Sequence, residues 1–472
     1  MSLVTPYDRV KYSNHAYHQC HPDTLATVAR LYGLRSPRPS RSRVLELACG
    51  AGGNLLGVAY GFPDARCVGI DLAPTAVEEA ARLAAGLGIA NAQFRQGDVT
   101  ELGDGRLGEF DYVVAHGLYA WVPDPVREGL MATIASHLSP DGLAYVSYNC
   151  EPTGHIRRVI RDAALWWGRD ADTPEALADS ARELFAVLLD ARCKDADDWY
   201  AGLIGHELTG LTRALDSELV HDLLGECWRP VWFSDFAAHA ARHGLEHVGQ
   251  ARLGEHRGTP LPDGLPALLD DLSGGDHVAR EQYLDILTCR GFRESILCRA
   301  GRGIRRELDP TAFGELAFRT GLERLTEDDP PALHAAHEAM VARRPNAVPF
   351  DELVAATGAD AEQLRGVLGG AFRAGKANPF TDLPGAGRPG ERPHVSAVAR
   401  MTAAGGDRVT TLYNGIVFLE DPLGRALITL MDGTRDRDEL LAAFNERTGA
   451  DVTREVLDAN IASLGQIPLF HG

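Results

Sequence analysis

Residues 44–54, VLELACGAGGN, restrict the fold of this chain more than any other stretch. Val44, Leu45, Glu46 and Leu47 read as a short buried strand. Gly50, Gly52 and Gly53 make a tight turn, and Asn54 opens a helix through Leu55, Leu56, Val58 and Ala59. A strand running into a glycine turn and a helix is where an open α/β sheet holds its ligand, because backbone N–H groups and the helix N-terminus converge there. The dinucleotide fingerprint would put a third glycine at position 55, which is Leu55. A Walker loop would need a lysine in the turn, and none is present.

Two acids fall in step with that turn. Asp71 ends the next strand (67–70), about 20 residues after the first glycine, where an acid meets ribose hydroxyls. Asp98 ends a third unit at 93–98. A glycine turn that binds nothing is the plainer account of the turn alone, and the two acids weigh against it. The whole pattern resembles the nucleotide site of class I S-adenosylmethionine (SAM) methyltransferases.

Strands at 43–48, 66–70, 92–95, 110–115 and 142–148 alternate with helices at 54–60, 74–86 and 124–138. That rhythm predicts a parallel, doubly wound sheet. Its ligand-binding edge then carries His116, Gly117, Tyr119 and Trp121 after the fourth strand and Tyr148 in the fifth. Residues 1–40 form an N-terminal arm or lid crowded with Tyr7, Tyr12, Tyr17, His15, His18 and Gln19. Residues 41–150 are the SAM-binding, Rossmann-like core, and 151–230 a helical insertion covering the substrate side, with Trp166 and Trp167 in its core. Residues 231–300 complete the sheet with two more strands, giving seven. Residues 301–390 hold three short helices of winged-helix type and a Pro- and Gly-rich linker at 379–393. Residues 391–472 form a C-terminal winged-helix-like piece.

The net charge of −19 lacks the basic footprint of a general nucleic-acid binder. No apolar run reaches the ~20 residues of a membrane span, and the N-terminus lacks a signal-peptide core. A cytoplasmic protein is expected. The eight cysteines are scattered, which signals neither a zinc site nor a disulfide framework.

Longer motifs widen the resemblance to nearly the whole chain. They are Tyr7-Asp8-x-Val10-x-Tyr12, Gln19-x-His21-Pro22-Asp23, 44–54, Gly69-Ile70-Asp71-Leu72, Phe110-Asp111-Tyr112 with His116-Gly117 and Trp121-Val122-Pro123, Val146–Asn149, Glu281–Asp285 and Leu430–Asp436. The chain resembles bacterial class I methyltransferases with a methyltransferase regulatory domain, among them the lysine methyltransferases of rickettsial outer membrane protein. It departs from them at Cys20, Ala120, 226–229 and 151–154, which flank the expected acceptor pocket.

The resemblance implies SAM as cofactor. Gly50, Gly52 and Gly53 would admit its methionine part, Asp71 would hold the ribose and Asp98 the adenine. Glu46 would orient the turn, with His116 and Gly117 near the methionine end. Asn54, Leu72, Val99, Tyr12 and Gln19 complete the expected cofactor set. A lysine acceptor must be neutral to attack, so its pKa of ~10.4 has to fall by burial or be met by a base. His116, Tyr119, Trp121 and Tyr148 are the catalytic candidates, with His116 and Tyr148 expected to handle the proton. No metal is needed. The expected acceptor is a lysine or other amine of a polypeptide. The alternatives are N- or O-methylation of a natural-product peptide or small metabolite, and SAM binding without turnover.

Overall fold

A computed structural model describes residues 14–191, 198–253 and 264–471. Helix α1 (Pro22–Leu31) starts at a proline that has no N–H to leave unpaired, and it buries most of its surface. The alternating core follows: β1 (Arg43–Leu47), α2 (Gly53–Gly61), β2 (Arg66–Asp71), α3 (Pro74–Gly86), β3 (Ala92–Gln96), β4 (Phe110–Ala115), α4 (Asp124–His137) and β5 (Leu138–Asn149). The central strands β1, β4 and β5 are mostly apolar because both faces of the sheet are covered there, whereas the edge strand β3 is polar and has no buried residue.

An insertion of helices leaves the sheet here: α5 (Thr153–Trp167), α6 (Pro174–Ala191) and α7 (Trp199–Leu211). It returns at Val231, which pairs with Cys150 as an isolated parallel bridge; Glu151 N–H donates to Val231 O and Val231 N–H to Asn149 O, both at 3.1 Å. Its core is Ile160, Ala164, Phe185 and Ile204, not the tryptophans. Trp166 and Trp167 are 70% and 48% exposed, so the expectation of a buried pair is corrected. In α5 the inward row runs 160, 164; position 166 lies off that row, and Trp167, in step with it, is the last residue of the helix.

The sheet is then completed by α8 (Phe233–Arg242), β6 (Leu245–Gln250), α9 (Leu265–Ser273), α10 (His277–Thr288) and β7 (Phe292–Arg299). Its order is β3-β2-β1-β4-β5-β7-β6, with β7 antiparallel to both neighbours. The Glu281–Asp285 motif supplies the ion pair that seats β7. Arg293 is fully buried and donates to Asp285 through Nε (2.6 Å) and a terminal nitrogen (2.7 Å), and to Glu281 at 3.1 Å.

The next unit contains β8 (Ala317–Thr320), α11 (Pro331–Arg343), β9 (Val348–Pro349), α12 (Phe350–Thr357), α13 (Ala361–Arg373) and β10 (Ala377–Phe380), its strands ordered β10-β8-β9. Its core around Phe313 and Phe318 includes Leu31 of α1. The segment after β10 is tied down rather than a free linker. The buried Asp23 carboxylate of α1 accepts the N–H groups of Thr381 (2.8 Å) and Asp382. The last unit comprises α14 (Ala397–Gly405), the hairpin β11 (Arg408–Thr410) and β12 (Ile416–Phe418), α15 (Pro422–Leu430), α16 (Arg437–Thr448) and α17 (Arg454–Leu464). Among the described residues, no helix is long and apolar enough to cross a membrane.

Candidate active site

The turn after β1 holds three left-handed residues: Ala48 (φ 56°), Gly50 (φ 53°) and Gly52 (φ 78°). Only glycine adopts that conformation freely. At Gly52 a Cβ would also stand 2.8 Å from the Phe94 ring, whereas at Gly50 it would enter open space. Asp71, at the end of β2, clasps the turn. Its Oδ2 accepts the N–H of Gly50 (2.8 Å) and its Oδ1 that of Ala73 (2.9 Å). Asp98 caps a short 3-10 turn, accepting the Thr100 N–H and hydroxyl at 2.8 Å each. Val99 is buried and its carbonyl accepts from Thr133 (2.8 Å). Leu72 is 45% exposed beside Asp71.

Asn54, in the first turn of α2, is the hub of the site. Its Nδ2 donates to Glu46 Oε1 at 2.9 Å, and its Oδ1 accepts the Tyr17 N–H at 3.1 Å. Asn14 Oδ1 accepts the Gly53 N–H at 2.5 Å, so residues 14–17 lie against the glycine turn. Gln19 is buried just behind them; Tyr12 lies outside the described residues. Asn414, between β11 and β12, reaches Asn54 from the C-terminal unit. Gly57 makes room for it, since a Cβ at 57 would overlap Asn414 Oδ1. Neither Asn14 nor Asn414 stood out in the sequence. The Asn-Gly pair at 414–415 signals a hairpin turn, but nothing about it announces where the side chain goes.

Burial pushes the Glu46 carboxyl up to about 8, against a smaller opposing effect of the Asn54 hydrogen bond. Among the described residues its Oε2 is buried with no hydrogen-bond partner.

His116 and Gly117 follow β4 on the side of the sheet that faces Tyr17. His116 Nδ1 lies 3.1 Å from both the Tyr145 and Ser147 hydroxyls, and its ring centroid 4.1 Å from that of Tyr17. Burial first, and Arg252 second, hold its pKa down to about 4, so the ring is neutral at pH 7. The Gly117 N–H donates to Ser147 Oγ at 2.9 Å. Trp121 is half-buried, donating its indole N–H to the Asp222 carbonyl of the insertion at 3.2 Å. Phe292 joins this wall, 6.5 Å from both His116 and Trp121 by ring centroids.

Tyr119 and Tyr148 stand elsewhere, which corrects their place beside His116. Side chains alternate along β5, so Tyr148 projects to the face opposite Tyr145 and Ser147. It is fully buried, stacked on Phe236 at 4.2 Å, with its hydroxyl 3.0 Å from Ser295 Oγ. Tyr119 packs edge-on against Phe236 and its hydroxyl is 2.8 Å from His239 Nδ1.

Three family descriptions match the chain in series. Residues 44–142 match a methyltransferase domain, 216–299 a predicted methyltransferase regulatory domain, and 391–454 the PKMT C-terminal winged helix domain. The strand order already seen agrees with the first of these matches. The chain carries a methyltransferase domain, a predicted methyltransferase regulatory domain and a PKMT-type winged helix domain, in that order. The cofactor of its methyltransferase domain is SAM.

This methyltransferase is 32% identical over 305 residues to the uncharacterized protein RP789 of Rickettsia prowazekii, covering 64% of this chain and 54% of that protein. It thus spans about half the length of that relative. It is 32% identical over 130 residues to a trans-aconitate 2-methyltransferase of Deinococcus radiodurans, covering 28% of this chain and 46% of that enzyme. PKMT2 of Rickettsia typhi, solved in complex with AdoHcy, has the same fold: the TM-score is 0.85 at 22% identity, over 98% of this chain and 100% of that one.

The residues present fit SAM. Gly50 leaves space where a side chain would intrude, and Glu46 Oε2 offers a buried acceptor with no partner among the described residues.

Proposed function

We propose that the protein transfers the methyl group of SAM to a lysine or another amine of a protein or peptide. The observation that carries this reading is the match of 391–454 to the PKMT winged helix domain, because Asn414, within that span, touches the cofactor turn. Two features support a polypeptide acceptor. Trp166, Trp167 and Trp199 stand exposed on the insertion, as large side chains do where they receive a partner. A cleft of about 550 Å³, lined by Ile156, Leu203, His206, Glu207 and Phe292, opens between the insertion and the start of β7.

SAM supplies an electrophilic methyl group, and the protein's share is alignment, exclusion of water and one proton. The glycine turn and residues 14–17 would position the methionine part. Asp71 would take the ribose hydroxyls while still holding the turn, Asp98 would meet the adenine, and Glu46 Oε2 would accept from the ammonium. Neutral His116 adds no positive charge against an approaching amine. With Nδ1 turned to Tyr145 and Ser147, its Nε2 is the ring atom left to accept the amine's N–H. The faces of Tyr17, Trp121 and Phe292 would stabilise the ammonium product by cation–π attraction.

The test is incubation with methyl-labelled SAM and a lysate of the host. Base-stable label in protein or peptide is expected. Base-labile label would mean a carboxyl ester, and label confined to small molecules a metabolite acceptor; either would overturn the proposal.

A further inference from the structure

Glu128 of α4 and His239 and His243 of the α8 region bring one ligand atom each within 4.8 Å of one another. His239 Nε2 is 3.0 Å from Glu128 Oε2, and His243 Nε2 is 2.9 Å from Glu128 Oε1. His243 Nε2 is buried, yet it lacks an aligned hydrogen bond: the carboxylate is close but off the line an N–H would take. Ligands of tetrahedral Zn²⁺ at ~2.1 Å stand roughly 3.4 Å apart, within the spread of these distances.

The surroundings are those of a ligand shell. The second nitrogen of His239 is held by the Tyr119 hydroxyl at 2.8 Å, which fixes the ring with Nε2 toward Glu128. A cleft of about 350 Å³ opens beside the cluster, and Glu128 is the exposed member facing solvent. Three carboxylates line the cleft (Asp124, Glu128, Asp235) against two guanidiniums (Arg127, Arg242). Asp124 is paired with Arg229 at 3.1 Å and with Arg127 at 3.6 Å, which leaves Glu128 and Asp235 facing Arg242 beside the two imidazoles.

We propose that Glu128, His239 and His243 bind a divalent transition-metal ion of the Zn²⁺ type, with a water-accessible position left open. Two imidazoles and one carboxylate are the donor set that suits Zn²⁺, Co²⁺ or Ni²⁺ rather than Mg²⁺ or Ca²⁺. The ion would clamp α8, inside the regulatory-domain match, to α4 of the methyltransferase core. The scattered cysteines gave no hint of it, because the donors come from histidines four residues apart and an acid on another helix. The site stands on the face of the sheet away from His116, and it takes no part in methyl transfer.

The test uses the full chain stripped with chelator and titrated with Co²⁺, then Zn²⁺. Visible d–d absorption of a low-symmetry Co²⁺ site is expected, displaced by Zn²⁺, with a rise in Tm on metal binding. His243→Ala should weaken binding roughly tenfold or more and remove the metal-dependent part of Tm. Glu128 is exposed, so Glu128→Gln keeps the fold and should do the same. Absence of the d–d bands, or titrations of the variants that superimpose on the unaltered chain, would overturn the proposal.

Discussion

Asn414 donates its side-chain amide to both the side-chain oxygen (2.8 Å) and the backbone carbonyl (3.2 Å) of Asn54. One residue of the C-terminal unit therefore holds the first turn of the helix that follows the glycine turn. Asn414 is fully buried and left-handed (φ 57°), a conformation asparagine tolerates better than most residues. Asn414→Ala should leave Asn54 short of a partner in the interior, at about 1–3 kcal/mol. If the link sets the turn, SAM affinity should fall about tenfold as well. Asn414→Asp, which keeps the size but loses the donor, should weaken SAM binding too. Calorimetry showing unchanged affinity in both would refute the coupling.

Asp71 holds the glycine turn, and on the proposed reading it also takes the ribose of SAM. Asp71→Asn keeps one oxygen but cannot accept both the Gly50 and Ala73 N–H groups, and Asp71→Ala accepts neither. Both should lower SAM affinity, the alanine variant to below detection, with far-ultraviolet circular dichroism unchanged. Near-normal affinity of the alanine variant would remove Asp71 from the cofactor site.

The raised carboxyl of Glu46 makes a prediction for stability with a definite sign. An acid whose folded pKa exceeds its unfolded value holds its proton more tightly in the native state. Its contribution is therefore full below the ordinary value of 4.5 and is lost as pH rises to about 8. Asp23, pushed up to about 7 by burial, acts in the same direction. Denaturant unfolding should show stability declining across this window, and Glu46→Gln should flatten the decline. An identical pH profile for the variant would mean that Glu46 is ionised in the folded protein at neutral pH.

His116 and Tyr148 should separate in turnover. His116→Phe keeps the aromatic wall and removes the nitrogen proposed to meet the acceptor, and should lower kcat by an order of magnitude or more with SAM affinity little changed. Tyr148→Phe removes a hydroxyl that meets only Ser295 among the described residues, and should cost about 1 kcal/mol of stability with kcat preserved. The reverse ranking would return Tyr148 to the chemistry.

Much of the sheet is legible in the sequence because most of its strands are covered on both faces and so read as apolar runs. The expected strand at 66–70, for instance, became Arg66–Asp71, and that at 110–115 is Phe110–Ala115. The acids at strand ends are legible for the same reason, since a carboxylate interrupts the run. Helices α14, α15 and α17 went unread in a stretch where strand and turn signals dominated. Trp166 and Trp167 misled because hydrophobicity alone does not fix which side of a helix faces inward. The links from Asn14 and Asn414 to the glycine turn were invisible: a polar side chain paired across 39 or 360 residues leaves no period. Asp23 had the same effect on 379–393, turning a composition typical of a spacer into a docked strand end and loop.

The insertion departs after Cys150 and comes back at Val231, and the two ends touch through paired backbone groups. Strands β5 and β7 are thus seated without reference to what hangs between those points. Such a narrow neck makes the excursion exchangeable: a graft of different length from a related enzyme could be spliced at 150 and 231 while the donor-binding half stays intact. Acceptor choice could then evolve as a replaceable cassette on a constant methyl-donor platform.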